Sequence, residues 1–321
     1  MTFDVVLPTV LILIAVVTIL LSERMEKRVK TLFEEKEFSI RDAVLLVVAL
    51  GGMVTVLAFV PTQAILVLFL WVFSVALFMI TYLISQKWFL GFIGPAIFLA
   101  LYFVFRNTWI WNYYLLDTFA FIFVVFITVY IGSFFTWKIT FAFALLLTIV
   151  DVIQVLGTRY TVTTSEKVLG LSLPIFIVVR AVPAVQYLLA LGLGDLFLTG
   201  LLSIQTAKKF GRRFAIESSV SIAIVFGIVE AFTLTYYPQQ PLPATVMIFG
   251  GWLLALPASQ KDRILSNTYL TETTIYGIVT GISIIGTLEQ SIWWLLPGAL
   301  FCVLTIVSAL KYEHGTMKIQ K

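Results

Sequence analysis

Long apolar segments separated by short polar breaks occupy almost the whole chain. A helix needs about 20 apolar residues to cross the hydrocarbon core of a membrane. Because these segments are apolar around the full circumference of a helix, they predict an all-α fold, a polytopic bundle of transmembrane helices. We predict eleven crossings, with nine or ten as alternatives, near residues 5–22, 43–60, 64–85, 88–105, 113–135, 138–156, 184–203, 214–236, 244–258, 274–287 and 291–310.

Three segments depart from this pattern. Residues 23–42 interleave six basic and six acidic side chains, which predicts a solvated amphipathic helix, and residues 157–167 predict a polar loop. Residues 169–180 are apolar but contain Pro174, and their β-branched run favours a strand. A partly re-entrant piece or the kinked start of the seventh helix is the alternative for that segment. Pro183 suits the first turn of the seventh helix.

Composition strengthens the membrane assignment and excludes other classes. The 321 residues are 60% hydrophobic and 12% charged, with a mean hydropathy of +1.05. The net charge of +4 is spread over loops, unlike the concentrated basic tract of a nucleic-acid-binding protein. The single Cys302 excludes an intrachain disulfide framework and a metal site built on several thiolates. We therefore predict no nucleic-acid partner, no metal and no cofactor.

The distribution of basic residues predicts an orientation. Under the eleven-helix assignment, 17 Lys and Arg residues follow odd-numbered helices or lie in the tail, and 4 follow even-numbered helices. Basic loops tend to stay in the cytoplasm. We expect an integral multi-pass membrane protein with its amino terminus outside and its carboxyl terminus in the cytoplasm.

Two acidic residues in adjacent apolar runs are the strongest candidates for chemistry. Asp195 lies about midway along the run 184–203, and Asp151 lies about six residues from the end of the preceding run. An ionisable group inside the bilayer is costly and so marks a functional site by default. Glycines on either side of Leu193 would let another backbone approach Asp195 closely.

Other polar residues in the apolar runs have weaker claims. Gln154 lies three residues beyond Asp151 and is expected to orient its carboxylate. Glu230 is predicted at a depth similar to that of Asp151, where packing as a structural residue is favoured over lining the same cavity. Asp117 lies near the start of its run, close enough to the interface to be solvated, which favours a structural role over a catalytic one.

These features resemble the presenilin and signal peptide peptidase family, the GxGD intramembrane aspartyl proteases. The resemblance rests on Gly192-Leu193-Gly194-Asp195 in the seventh predicted helix, Asp151 in the sixth, and Pro243-Ala244 at the start of the ninth. The motifs span roughly residues 138–258 and occur in the family's order.

Two positions depart from the family's usual motifs. A tyrosine usually precedes the first aspartate, whereas Val150 does so here, and a leucine usually follows the proline-alanine pair, whereas this chain has Thr245. These departures leave the two carboxyl groups intact. They concern the contacts that surround those groups.

The resemblance implies a presenilin-like core of nine helices, here followed by about two additional helices. It divides the chain into amino-terminal helices 1–137, catalytic helices 138–258 and a carboxyl-terminal part 259–321. The catalytic residues it implies are Asp151 and Asp195. The residues it implies for substrate binding or site shaping are Gly192, Leu193, Gly194, Leu242, Pro243 and Ala244.

The implied activity is hydrolysis of peptide bonds within the transmembrane helices of membrane proteins or within signal peptides. Like charges held close together cannot both ionise easily, so the two aspartates would share a proton. Segments 175–179 and 242–244 are expected to hold the unwound substrate by strand addition. The predicted orientation resembles that of signal peptide peptidase, which implies substrates with a cytoplasmic amino terminus. The expected partners are a transmembrane peptide or protein and membrane lipid, and homo-oligomerisation is left open.

Two other classes are compatible with the composition. An ion-coupled transporter would use Asp151, Asp195 and Glu230 as proton or cation sites near broken helices. A noncatalytic membrane scaffold or chaperone is the third interpretation.

Overall fold

The computed structural model describes residues 2–32, 38–237 and 240–256. Within these ranges the chain forms a helical bundle that contains one two-stranded sheet. A 3-10 turn, Leu90–Phe92, precedes the fourth helix, and a π-helical turn, Ile153–Gly157, follows the sixth. The elements are α1 (Val6–Leu32), α2 (Ile40–Phe59), α3 (Thr62–Ser85), α4 (Ile93–Phe105), α5 (Tyr113–Gly132), α6 (Trp137–Val152), α7 (Tyr160–Leu169), β1 (Phe176–Arg180), β2 (Leu188–Gly192), α8 (Leu193–Phe210), α9 (Arg212–Tyr236) and α10 (Ala244–Ala255).

The helices support a membrane-embedded bundle at a coarse level. By length and composition, six described spans can cross a membrane: Val6–Met25, Ile40–Phe59, Thr62–Ser85, Tyr113–Gly132, Trp137–Gly157 and Arg212–Tyr236. The apolar segments Leu90–Phe105 and Ala244–Ala255 are shorter. The prediction of a helical membrane bundle is therefore confirmed, whereas the nine-helix core, the division at residue 137 and the orientation stay predictions. The predicted tenth and eleventh crossings and Cys302 lie outside the described residues.

Several helices begin where a polar side chain accepts hydrogen bonds from their first free N–H groups. Asp4 accepts hydrogen bonds from the N–H groups of Val6 and Leu7, at 3.0 and 2.8 Å. At the start of α2, Ser39 and Asp42 form a reciprocal capping box. A helix leaves its first N–H groups without partners of its own, and such groups are costly in an apolar environment. These polar residues therefore determine where the apolar runs become helical.

The centre of the bundle is α8, against which α1, α5 and α9 pack. Leu196, Leu198 and Leu201 on α8 are completely buried. Gly200 lies where helices approach closely, because a Cβ atom there would be 2.7 Å from the Thr128 Cγ2 atom of α5. Small residues permit such contacts between helices in membranes, where packing drives association. The helix that carries Asp195 is therefore enclosed by other helices.

The segment before α8 forms a hairpin. Strands β1 and β2 pair antiparallel, and Ile177 of β1 lies opposite Leu191 of β2. Both side chains are buried in the main hydrophobic cluster, so the hairpin is inserted into the bundle. The expectation of a strand within residues 169–180 is confirmed, and the alternative of a kinked helix start is wrong.

Three sequence predictions about this region need correction. The seventh crossing was expected to be helical from residue 184, but the helix begins at Leu193, and the residues just before it form β2. Pro183 consequently lies in the loop between the strands, where it forms a bridge with Asp4, and does not begin a helix. The predicted loop 157–167 is largely the helix α7. In all three cases pairing or packing with distant segments outweighed the local pattern.

Helix α10 is held closely against α9. A Cβ atom on Gly251 would lie 2.7 Å from the backbone Cα atom of Ile222, whereas a Cβ atom on Gly250 would meet nothing within 4 Å. The Trp252 indole N–H also donates a 2.9 Å hydrogen bond to the Thr206 hydroxyl of α8. The position of α10 is therefore determined by contacts with two neighbouring helices.

These contacts predict opposite behaviour for two adjacent glycines. Gly251→Ala is expected to destabilise the protein by about 1–3 kcal/mol, because the methyl group would push α10 away from the α9 backbone. Gly250→Ala is the matched control and is expected to cause no loss, since its methyl group has room and alanine favours a helix. Thermal unfolding in detergent checks this, and equal melting temperatures for the two variants would contradict the packing of α10.

Candidate active site at three helix ends

Asp151 lies in the last turn of α6, immediately before the chain changes to the π-helical turn. Its side chain is partly buried. Turns of π-helix inside longer helices occur frequently at functional sites because they alter the direction of the side chains around them. The sequence placed Asp151 near the end of the sixth helix, and the structure confirms that position.

Asp195 lies in the first turn of α8, not midway along a helix as the sequence suggested. Gly192 occupies the cap position, and its backbone N–H donates a hydrogen bond to the Asp195 carboxyl. A negative side chain is favoured in a first turn, because the helix dipole places positive charge there. Because the hairpin ends where α8 begins, the Asp195 carboxyl lies at the start of a helix.

The two aspartates lie close enough for their charges to repel each other. Both side chains are partly buried, so each retains some exposed surface. They reach this position because the end of α6 and the start of α8 meet, and the start of α10 joins them. The structure thus brings together the two acids that the sequence singled out.

The start of α10 supplies donors to this pair. The Thr245 hydroxyl donates a 2.7 Å hydrogen bond to Oδ2 of Asp151, and the backbone N–H of Thr245 also donates to the Asp151 carboxyl. Thr245 is 3% exposed. In the sequence it stood out only as a departure from a family motif. The signal that would have found it is a hydroxyl side chain at the start of an otherwise apolar helix.

The predicted site-shaping residues fall into different environments. A Cβ atom on Gly192 would lie 3.3 Å from Oδ2 of Asp195, whereas a Cβ atom on Gly194 would meet nothing within 4 Å. Gly192 therefore keeps side-chain atoms away from the carboxyl, and Gly194 faces open space beside it. Leu193, by contrast, packs against two hydrophobic clusters.

The other three predicted residues lie at the start of α10 and just before it. Pro243 is buried at the cap position of α10, and Ala244 is partly buried against the main cluster. Leu242 is 37% exposed. Pro243 has no N–H and so needs no partner at the cap. These residues place the start of α10 beside Asp151, and Leu242 offers an accessible apolar side chain.

The hydrogen-bond pattern of the hairpin shows which backbone groups face outward. Leu193 donates to the Ile175 carbonyl and Ala181 donates to the Tyr187 carbonyl, each at 3.0 Å, so these pairs bond across the hairpin. Bonded and non-bonded pairs alternate along antiparallel strands. Between these bonded pairs lie pairs that do not bond to each other, and their N–H and C=O groups point to the outer edges of the hairpin. The central pair of this kind is Val178 with Ala190.

The two edges of the hairpin differ. On the β1 edge, the N–H of Val178 donates a 2.8 Å hydrogen bond to Oδ1 of Asp117 on α5, so this edge is closed. On the β2 edge, Leu188 and Ala190 are exposed, and no third strand joins the sheet in the described part of the chain. Asp117 is partly buried and is consequently a structural partner of the hairpin, which agrees with the preference for a noncatalytic role.

Of two further polar side chains, Gln154 differs from expectation and Glu230 agrees with it. Gln154 donates hydrogen bonds to the Gly51 carbonyl at 2.6 Å and to the Thr55 hydroxyl at 3.1 Å, both on α2, so its expected role in orienting Asp151 is wrong. Glu230 is buried, has one oxygen without a hydrogen-bond partner, and interacts electrostatically with Asp4. The favoured interpretation of Glu230, a packed side chain, agrees with this burial.

Among the described residues, no group of three or more His, Cys, Asp or Glu side chains could hold a metal ion. What the site offers chemically is a pair of carboxyl groups, backbone and hydroxyl donors from two helix starts, and a strand edge that leads to Asp195. Comparison of the chain with protein-family models, with curated proteins and with solved structures finds no match. The fold and the site thus define a membrane-embedded helical bundle with a two-carboxyl centre.

The contact between Asp117 and β1 is directly testable. Asp117→Ala would leave the part-buried N–H of Val178 without its acceptor, a loss of about 0.5–1.5 kcal/mol for one hydrogen bond, so the amide should exchange its hydrogen faster. Asp117→Asn keeps a carbonyl oxygen and is expected to preserve most of the protection. Hydrogen-exchange mass spectrometry of the hairpin in detergent measures this, and equal exchange in the Ala variant and the unchanged protein would rule the contact out.

Proposed function

We propose that the chain is an intramembrane aspartyl protease that hydrolyses peptide bonds within transmembrane helices or signal peptides, similar to the presenilin and signal peptide peptidase family. The observation that carries this proposal is the pairing of Asp151 and Asp195 at the junction of three helix ends. Like charges are costly to hold together inside an apolar bundle, so a pair of this kind marks a place where chemistry is performed.

The mechanism follows from the chemistry of two adjacent carboxyl groups. The pair shares one proton, so one group is a carboxylate and the other a carboxylic acid. The carboxylate accepts a proton from a water molecule as that water attacks the scissile carbonyl carbon, and the acid donates its proton to the carbonyl oxygen. The carboxyl group that took the proton from water then donates it to the amide nitrogen as the C–N bond breaks. The other carboxylate accepts a proton from a hydroxyl of the tetrahedral intermediate, so the two peptide products leave and the pair again shares one proton.

The β2 edge is where an unwound substrate would bind. A transmembrane helix shields its peptide bonds in intrahelical hydrogen bonds, so a segment must become extended before it can be cut. The outward N–H and C=O groups of Leu188 and Ala190 would pair with such a segment and lead it toward Asp195. Because Asp117 closes the β1 edge, we assign pairing with the substrate to β2 in place of segment 175–179.

The central test compares cleavage of a transmembrane peptide by the purified protein and its variants. Asp151→Ala and Asp195→Ala should each lower the rate by about 10²–10⁴-fold or more, because each removes one member of the acid and base pair. Glu230→Gln is the matched control, since it also removes a carboxylate from an apolar helix but lies outside the pair, and cleavage should remain.

The same set of variants decides between the proposal and its alternatives. Cleavage that both aspartate variants abolish supports the protease. Absence of cleavage in every protein, together with ion-dependent uptake into vesicles that Glu230→Gln abolishes, would replace it with the ion-coupled transporter. Absence of both activities leaves the membrane scaffold.

Substrate pairing at β2 predicts a specific effect of proline. Ala190→Pro would remove one outward N–H and no bond within the hairpin, so it should lower kcat/KM roughly 2- to 12-fold, the equivalent of about 0.5–1.5 kcal/mol for one hydrogen bond. Ala190→Val retains the N–H and serves as the control. Ile177→Pro is a poorer test, because Ile177 and Leu191 form an inward-bonded pair whose loss would disrupt the hairpin itself. Unchanged kcat/KM in Ala190→Pro would refute docking on this edge.

A further inference from the structure

Thr245 makes two contacts with Asp151 from one residue. Its hydroxyl lies 2.7 Å from Oδ2, and its backbone N–H donates to the same carboxyl group. Because a backbone N–H can only donate, it requires an acceptor oxygen on Asp151. Two donors on one carboxyl group restrict both its position and the rotation of its plane.

The backbone donor is available because Thr245 is the second residue of α10. The first N–H groups of a helix have no partner within that helix. Neither Pro243 nor Ala244 supplies a side-chain cap, and α10 has no side-chain hydrogen bond at its cap position. Asp151 of α6, which lies 94 residues earlier in the chain, accepts these hydrogen bonds and so caps α10 from outside that helix.

The donors are held on a fixed support. Gly251 brings α10 against the backbone of α9, and Trp252 bonds to Thr206 of α8. Ile248 and Trp252 are completely buried. A carboxyl group bonded to α10 is therefore fixed relative to α8, the helix that carries Asp195.

We propose that Thr245 is a positioning residue, which holds the Asp151 carboxyl in the orientation that its reaction with water and substrate requires. This inference rests on the proposed protease function. Thr245 is itself almost completely buried, so it acts through Asp151 and does not contact the substrate. Leucine, the usual residue at the matching place in the family that the chain resembles, has no hydroxyl, so the side-chain contact is a property of this chain.

The kinetic test uses two substitutions at this position. Thr245→Val keeps the shape but removes the hydroxyl, and kcat for transmembrane-peptide cleavage should fall about 10- to 100-fold, as expected when a reacting group is misplaced. KM should change less than twofold, because the substrate does not reach Thr245. Thr245→Ser restores a hydroxyl and should recover most of kcat.

A matched control and a measurement without catalysis accompany it. Thr233→Val removes a hydroxyl that bonds only to its own helix, at the Val229 carbonyl, and should leave kcat and KM unchanged. In a double-mutant cycle of Asp151→Ala and Thr245→Val, the shifts in melting temperature should not add, because the two residues share a contact. The Asp151 substitution should lower the melting temperature more, or raise it less, when Thr245 is present.

The outcomes separate this inference from the proposed function. The positioning role is overturned if the unchanged protein cleaves peptide and the Thr245→Val variant is equally active. It is also overturned if the loss in that variant appears only in KM. A Thr245→Ser variant as impaired as Thr245→Val overturns the role of the hydroxyl. Failure of the unchanged protein to cleave any peptide overturns the protease proposal, and additive melting shifts then overturn the contact as well.

Discussion

Backbone N–H groups without partners in an apolar bundle are the constraint on which this structure depends. The fold interrupts its apolar helices near the hairpin and the start of α10, and every interruption leaves helix starts or strand edges that need acceptors. Aspartate side chains provide many of these acceptors. Asp4 accepts from the start of α1 and from Val182, Asp117 from Val178, Asp151 from Thr245, and Asp195 from Gly192.

This constraint also explains why two acids can lie side by side in the site. Each carboxyl of the pair receives donors from the start of a helix, α8 for Asp195 and α10 for Asp151. The positive ends of two helix dipoles offset part of the cost of negative charge there. The same arrangement leaves the pair partly exposed, next to an open strand edge. Structural capping and the proposed chemistry therefore depend on the same hydrogen bonds.

Much of the fold and part of the site could be predicted from local pattern. The apolar runs indicated a helical membrane bundle, and the cost of buried charge was enough to identify Asp151 and Asp195 as candidates. The environments of individual polar residues were harder to predict. Gln154 has the spacing to face Asp151 but bonds to α2, and Asp117 bonds to β1. The spacing of residues along a helix restricts the direction in which a side chain points. It does not specify which neighbouring element packs against that side chain.

The sequence by itself determined the helical, membrane-embedded character of this protein, because hydrophobicity over about 20 residues is a local property. It could not determine that the run from residue 184 to 203 divides into a strand and a helix. An apolar run suits either structure, and the strand forms because β1 satisfies its backbone. Only the tertiary structure placed Thr245 on Asp151, since a hydrogen bond between residues 94 positions apart depends on where three helix ends meet.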